Sequence, residues 1–191
     1  MKEIRTATVE ASGVSNMTLC GYAIRFDSPT VIRDPAGDFV EVIERGALDH
    51  TVLDDSTLCV EHDTTRVPLA RSPRTMQLVV NDEGLYVRAE LADTERAREA
   101  YEAVRRGDIP GFSFAFTVDP SGSSYDPATN TRRISRIQKI YELSLCAHPA
   151  YSSTSVEARS QMQAQRGREQ LRQELLAACD AITRNHKTTH R

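Results

Sequence analysis

Through the first 156 positions apolar residues recur mainly at steps of two, in short runs broken by turn residues, a pattern that predicts strands. The runs fall at 3–10, 17–26, 39–43, 57–62, 66–70, 75–81, 84–91, 112–118 and 133–147. The stretch 75–91 reads as a hairpin, with Met76, Leu78 and Val80 alternating before Asn81-Asp82-Glu83-Gly84 and Leu85, Val87 and Ala89 after it. One helix interrupts the strands. It starts near Asp93-Thr94, keeps Ala97, Tyr101 and Val104 on one face, and stops at Arg105-Arg106-Gly107. The segment 119–131, with Pro120, Gly122, Pro127 and several serines, reads as a mobile surface loop. Many strands and few helices predict a mainly β protein with flanking helices (α+β), built as a barrel or a sandwich.

A change in pattern divides the chain. After Tyr151-Ser152-Ser153-Thr154-Ser155 it becomes rich in Gln, Arg and Ala, and Leu171, Leu175, Cys179 and Ile182 follow at helical spacing. The expected organisation is a β domain over 1–156 and a helical, basic tail over 157–191. The tail stripe either docks on its own domain or binds a partner. Residues 157–191 hold seven Lys/Arg against four Asp/Glu. The whole chain has 24 basic and 27 acidic residues, a net charge of −3 that offers no strong field to nucleic acid or a membrane surface. No apolar run approaches the ~20 residues needed to span a bilayer. The N-terminal MKEIRTATVEASG lacks a hydrophobic signal core. Cys20, Cys59, Cys146 and Cys179 lie far apart without CxxC spacing, which argues against a disulfide framework and for a reducing cytoplasm.

Candidate chemistry concentrates in Gly111-Phe112-Ser113-Phe114-Ala115-Phe116. On a strand the three rings share one face, and Ser113 projects from the other between bulky anchors. That is a setting for a rigid, accessible nucleophile, although an isolated strand Ser is more often an ordinary solvated residue. A serine nucleophile needs a base, and His62 and His148 are the two histidines beside predicted strands. Parity puts His62 on the side of Leu58 and Val60, where a half-buried structural histidine is the competing reading. The base needs an orienter. In Tyr141-Glu142-Leu143-Ser144-Leu145, alternation buries Tyr141, Leu143 and Leu145 and turns Glu142 and Ser144 to the opposite face. Glu142 is then either that orienter or an exposed strand carboxylate. His62, Asp63, Cys146 and His148 are conceivable metal ligands, but no HExxH or CxxC spacing supports them. Arg132-Arg133-Ile134-Ser135-Arg136-Ile137 is basic without interleaved aromatics, which fits a solvated strand face better than nucleic-acid binding.

Several blocks taken in order resemble the prohead (capsid-maturation) serine proteases of tailed bacteriophages. They are Gly21-Tyr22-Ala23 through Phe26, Phe39-Val40-Glu41 with Arg45-Gly46-Ala47, and Glu61-His62-Asp63. Gly111 through Phe116 and Tyr141 through Leu145 with His148-Pro149-Ala150-Tyr151 complete the set, over roughly residues 18–156. The family is related in fold to the herpesvirus capsid-maturation proteases, so the resemblance implies a mostly antiparallel β-barrel ringed by helices. It also implies a serine endopeptidase that cuts the scaffolding portion of the major capsid protein, or a separate scaffold protein, and itself. Ser113 would be the nucleophile, His62 the base and Glu142 the third member. The herpesvirus relatives use a second histidine there, which makes His148 the alternative. No cofactor and no metal are called for. The expected setting is the assembling prohead in the host cytoplasm, with self-association a further expectation. The rival reading is a non-proteolytic capsid-assembly or scaffolding protein of the same fold.

Overall fold

The computed structural model describes residues 3–8, 10–12, 17–34 and 37–147, the first two stretches by their backbone alone. In chain order the elements are β1 (Glu3–Thr8), β2 (Glu10–Ser12), β3 (Thr18–Arg25), β4 (Thr30–Ile32), β5 (Phe39–Ile43), β6 (Thr57–Val60) and β7 (Ala70–Arg71). They continue with β8 (Met76–Asn81), β9 (Gly84–Glu90), α1 (Glu95–Arg106), β10 (Gly111–Val118), β11 (Ser123–Asp126), β12 (Thr131–Ile134) and β13 (Ile137–Cys146). The protein is mainly β with one helix among the described residues. The tail helix expected over 157–191 lies outside them.

The strands pair into three sheets, ordered β1-β10-β13-β6-β7, β11-β12-β5-β4 and β2-β3-β9-β8. Most ladders are antiparallel, while β12 with β5 and β13 with β6 run parallel. No closed barrel forms among the described residues, contrary to the expectation from sequence. The five-stranded sheet stops at β1 on one side and at the two-residue β7 on the other, and no ladder joins those edges. Closure requires every edge strand to be paired. The core gathers Phe112, Phe114 and Phe116 of β10 with Leu143 and Leu145 of β13, Leu58 of β6, and the inward residues of β3 and β9.

Local chemistry explains the elements that position this core. At the β8–β9 turn the Asn81 side-chain oxygen accepts from the backbone N–H of Glu83 at 2.9 Å and of Gly84 at 3.1 Å, an Asx turn. Gly84 has φ +153°, and a Cβ there would lie 1.9 Å from the Ile24 carbonyl oxygen, so only glycine allows β9 to approach β3. Helix α1 begins at Thr94, whose hydroxyl accepts from Ala97 N–H at 3.3 Å, and ends at Gly107 in the left-handed region at φ 82°. It buries Ala97, Ala100 and Val104, while Tyr101 is half-buried at the edge of that face.

Two expectations change in the second half of the chain. The segment read as a mobile loop contains β11, which pairs with β12 in a hairpin closed by Tyr125 Oη donating to Asn130 Oδ1 at 2.5 Å. The run read as one strand over 133–147 is β12 and β13, broken where Ser135 and Arg136 donate their N–H groups to Gly122 O instead of continuing a ladder.

Arg132 of β12 and Glu41 of β5 are directly paired across strands, and Arg132 Nη1 lies 3.1 Å from Glu41 Oε2 with both side chains buried. Removing one partner takes a buried counter-charge away from the other. Glu41→Ala is expected to lower the unfolding free energy by about 3–5 kcal/mol in urea titrations, and the paired change Glu41→Leu with Arg132→Met by much less. A loss under about 1 kcal/mol for Glu41→Ala would show the pair to be dispensable.

Candidate active site

The pairing of β10 with β13 decides which side chains share a surface. Ser113 lies opposite Ser144, Ala115 opposite Glu142, and Gly111 opposite Cys146. On the other flank of β13, Ser144 lies beside Cys59 and Glu142 beside Thr57 of β6. Directly opposed residues project to the same side of a sheet. One face therefore carries Ser113, Glu142, Ser144, Cys146 and Cys59, and the reverse face carries Phe112, Phe114, Leu143, Leu145 and Leu58.

The alternation predicted for Ser113 and its flanking rings holds, but its accessibility does not. Ser113 is 1% exposed, because β10 is an interior strand with both faces covered. Glu142 is also buried, at 1%. Tyr141, expected inside, is exposed. The register slips between Ala115 and Phe116, so Glu142 faces Ala115 while Ile140 faces Phe116, and Tyr141 is the extra residue of a bulge.

His62 departs from the parity reading. Strand β6 ends at Val60, and Glu61 and His62 take left-handed conformations at φ 50° and 59°. This turn folds the imidazole back over the β13 face opposite to Leu58, where Nδ1 meets Glu142 Oε1. The His62 backbone N–H donates to Ser144 Oγ at 2.7 Å. Neighbouring bonds clamp the same turn: Glu61 N–H to Leu145 O at 2.9 Å, Asp63 N–H to Val60 O at 3.0 Å, and Ala147 N–H to the Glu61 carboxylate at 2.7 Å. Among the described residues no hydrogen bond joins Ser113 to His62. They lie on neighbouring parts of one face, with Ser144 between them.

Electrostatics favour a charged imidazole. Burial alone depresses the His62 pKa, but the Cys146 side chain and the Glu142 carboxylate against the ring outweigh that and push it up from 6.5 to about 9. The Asp63 carboxylate takes no part. It accepts from Thr65 N–H at 3.0 Å and from the Thr65 hydroxyl, and it pairs with Arg66 at 3.1 Å, which holds it below the usual carboxylate range. Among the described residues no group of three or more His, Cys, Asp and Glu side chains is arranged to hold a metal ion. His148, the alternative third member, lies outside the described residues. Two features escaped the sequence reading: the Ser144 anchor and the contact of Cys146 with the ring. Parity with Glu142 already put both on its face.

A model of the caudovirus prohead serine proteases matches residues 2–168. The chain belongs to this family. It is also similar in structure to the bacteriophage T4 capsid assembly protease, gp21, at 10% identity and a TM-score of 0.44, covering 76% of this chain and 97% of that one. No curated protein matches it. The family is one of phage prohead proteases that act in the assembling capsid, and among the described residues no helix is long and apolar enough to cross a membrane.

The raised His62 pKa links this site to stability. The folded value of about 9 exceeds the unfolded 6.5, so the contribution is complete below pH 6.5 and disappears as the pH climbs through 9. NMR titration of the imidazole is expected to give a midpoint near 9, falling in part in Glu142→Gln because the Cys146 contact remains. Urea unfolding should show stability declining between those pH values in the wild type, with a shallower decline in the variant. An unchanged midpoint in Glu142→Gln would mean that the carboxylate does not act on the ring.

Proposed function

We propose that Ser113, His62 and Glu142 form the triad of a serine endopeptidase that cleaves the scaffolding portion of the phage capsid protein, and its own chain, during prohead maturation. The observation that carries this reading is the His62–Glu142 pair on the sheet face that Ser113 shares. Family membership supplies the class of reaction.

The chemistry is acyl transfer. With Nδ1–H donated to Glu142, the other ring nitrogen, Nε2, is the one to accept the Ser113 proton as Oγ attacks the scissile carbonyl. The tetrahedral intermediate collapses, the C–N bond breaks, and the imidazolium gives its proton to the leaving amine. Water then attacks the acyl ester while the ring takes a proton from it, and Ser113 recovers its hydroxyl as the acid product departs. The buried carboxylate holds the ring orientation and stabilises the imidazolium formed in each half-reaction. Because Ser113 is almost fully covered in the free chain, the substrate has to displace that cover to reach it.

Ser113→Ala is expected to abolish both cleavage of co-expressed capsid protein and labelling by a fluorophosphonate, with circular dichroism unchanged. His62→Ala should be nearly as severe, and Glu142→Gln should cost about 10³–10⁴-fold in rate. Labelling that survives Ser113→Ala would refute the assignment. A chain that incorporates into proheads but never labels would support the non-proteolytic assembly role instead.

The base works only when neutral. With a pKa of about 9, roughly one ring in a hundred is neutral at pH 7. The fluorophosphonate labelling rate of the free chain is therefore expected to climb about tenfold per pH unit from 7 and to level off near 9. A plateau already reached by pH 7 would contradict it.

A further inference from the structure

We propose that Ser144 is a positioning residue whose hydroxyl sets the base at its working distance from the nucleophile; the inference rests on the assignment of Ser113 and His62 above. Three contacts tie His62 itself to β13 among the described residues, its ring to Glu142 and to Cys146 and its backbone N–H to Ser144 Oγ at 2.7 Å. The ring contacts act at the far end of the side chain. The backbone contact fixes where that side chain starts.

Ser144 is suited to the task by its place in the sheet. It lies directly opposite Ser113 on β10 and beside Cys59 on β6, so its Oγ measures from the nucleophile's own row. The residue is fully buried, so bulk water has no ready access to the His62 N–H if the hydroxyl is removed. The backbone it holds is also one that needs holding. His62 at φ 59° follows Glu61 at φ 50°, and non-glycine residues keep such conformations only where their surroundings over-determine them. The other clamps act on Glu61 and on the ends of the turn. Without the Ser144 bond the turn can relax while the strands stay paired, and displacements near 1 Å in a reacting constellation cost about a hundredfold in rate.

The test uses the full chain with Ser144→Ala, comparing fluorophosphonate labelling over pH 6 to 10 with NMR titration of the His62 ring. Loss of the hydroxyl is expected to lower the maximal inactivation rate about a hundredfold with little change in the probe concentration giving half that rate. The ring midpoint should move down from about 9 as its seat on Glu142 loosens. Glu142 and Cys146 on β13 are the titratable groups that act on that ring, the neighbouring Glu61 and Asp63 carboxylates being engaged by Ala147 N–H and by Thr65 and Arg66, and none is altered by the substitution. If Ser144→Ala does not fold, Ser144→Cys fills the position with a much weaker acceptor and carries the same expectation. A purely structural serine would lower the melting temperature while leaving the maximal rate and the ring midpoint at wild-type values, and that result overturns the inference. Labelling that persists in Ser113→Ala defeats the underlying assignment, and this inference with it. Ser113-dependent labelling that is insensitive to Ser144→Ala defeats the inference alone.

Discussion

The antiparallel register of β10 against β13 is the constraint on which the site depends. It puts Phe112 and Phe114 against Leu143 and Leu145 on one side and Ser113 against Ser144 on the other. A slip of one residue would send the rings to the polar face and Ser113 into the aromatic core. The cost of exposing those rings, about 3–5 kcal/mol for each large aromatic lost from a core, locks the register. The polar face is thus positioned by packing on the apolar face behind it. The bulge past Ala115 completes the arrangement, because it consumes Tyr141 and leaves Glu142 in line with Ala115.

Glu142 is where that packing becomes chemistry. A carboxylate buried to this extent is costly unless a cation lies beside it. The imidazole answers that need, and the Cys146 and Glu142 side chains against it raise the ring's own affinity for a proton. The electrostatics that steady the folded state therefore work against a neutral base near pH 7. A substrate or partner that alters burial over this face alters the proton affinity of His62 in the same step.

Much of this was legible in the primary sequence, and the failures share a cause. Alternation alone separated Ser113 from its flanking rings and put Glu142 with Ser144, because the period of a strand is a local property. Tyr141 was misread because a bulge arises between two strands and leaves no mark on either alone. Val60 ends its strand without Gly, Pro or Asn, so nothing in Glu61-His62 announced left-handed backbone, and parity carried His62 to the wrong face. The segment 119–131 was rich enough in Pro, Gly and Ser to read as loop, yet the Tyr125–Asn130 and Thr129–Asp126 bonds organise a hairpin within it. The barrel expectation failed for a related reason, since closure is a pairing between distant edge strands, here β1 and β7, that neither strand's own pattern records.

The turn bearing His62 shows how the base comes to depend on the whole sheet. Two consecutive non-glycine residues in the left-handed region cost about 1–3 kcal/mol each. The bonds at Glu61 N–H, His62 N–H, Asp63 N–H and Ala147 N–H return about 1 kcal/mol apiece, so cost and gain nearly cancel. Three of those four bonds need β13 or the residue that follows it. Detached from β13 the turn has no reason to persist, and the imidazole would follow the strand's parity away from Glu142. The base is therefore assembled only once β6 has docked in parallel beside β13. That long-range pairing joins residues more than eighty positions apart, which makes formation of the site a late consequence of folding rather than a property of any motif.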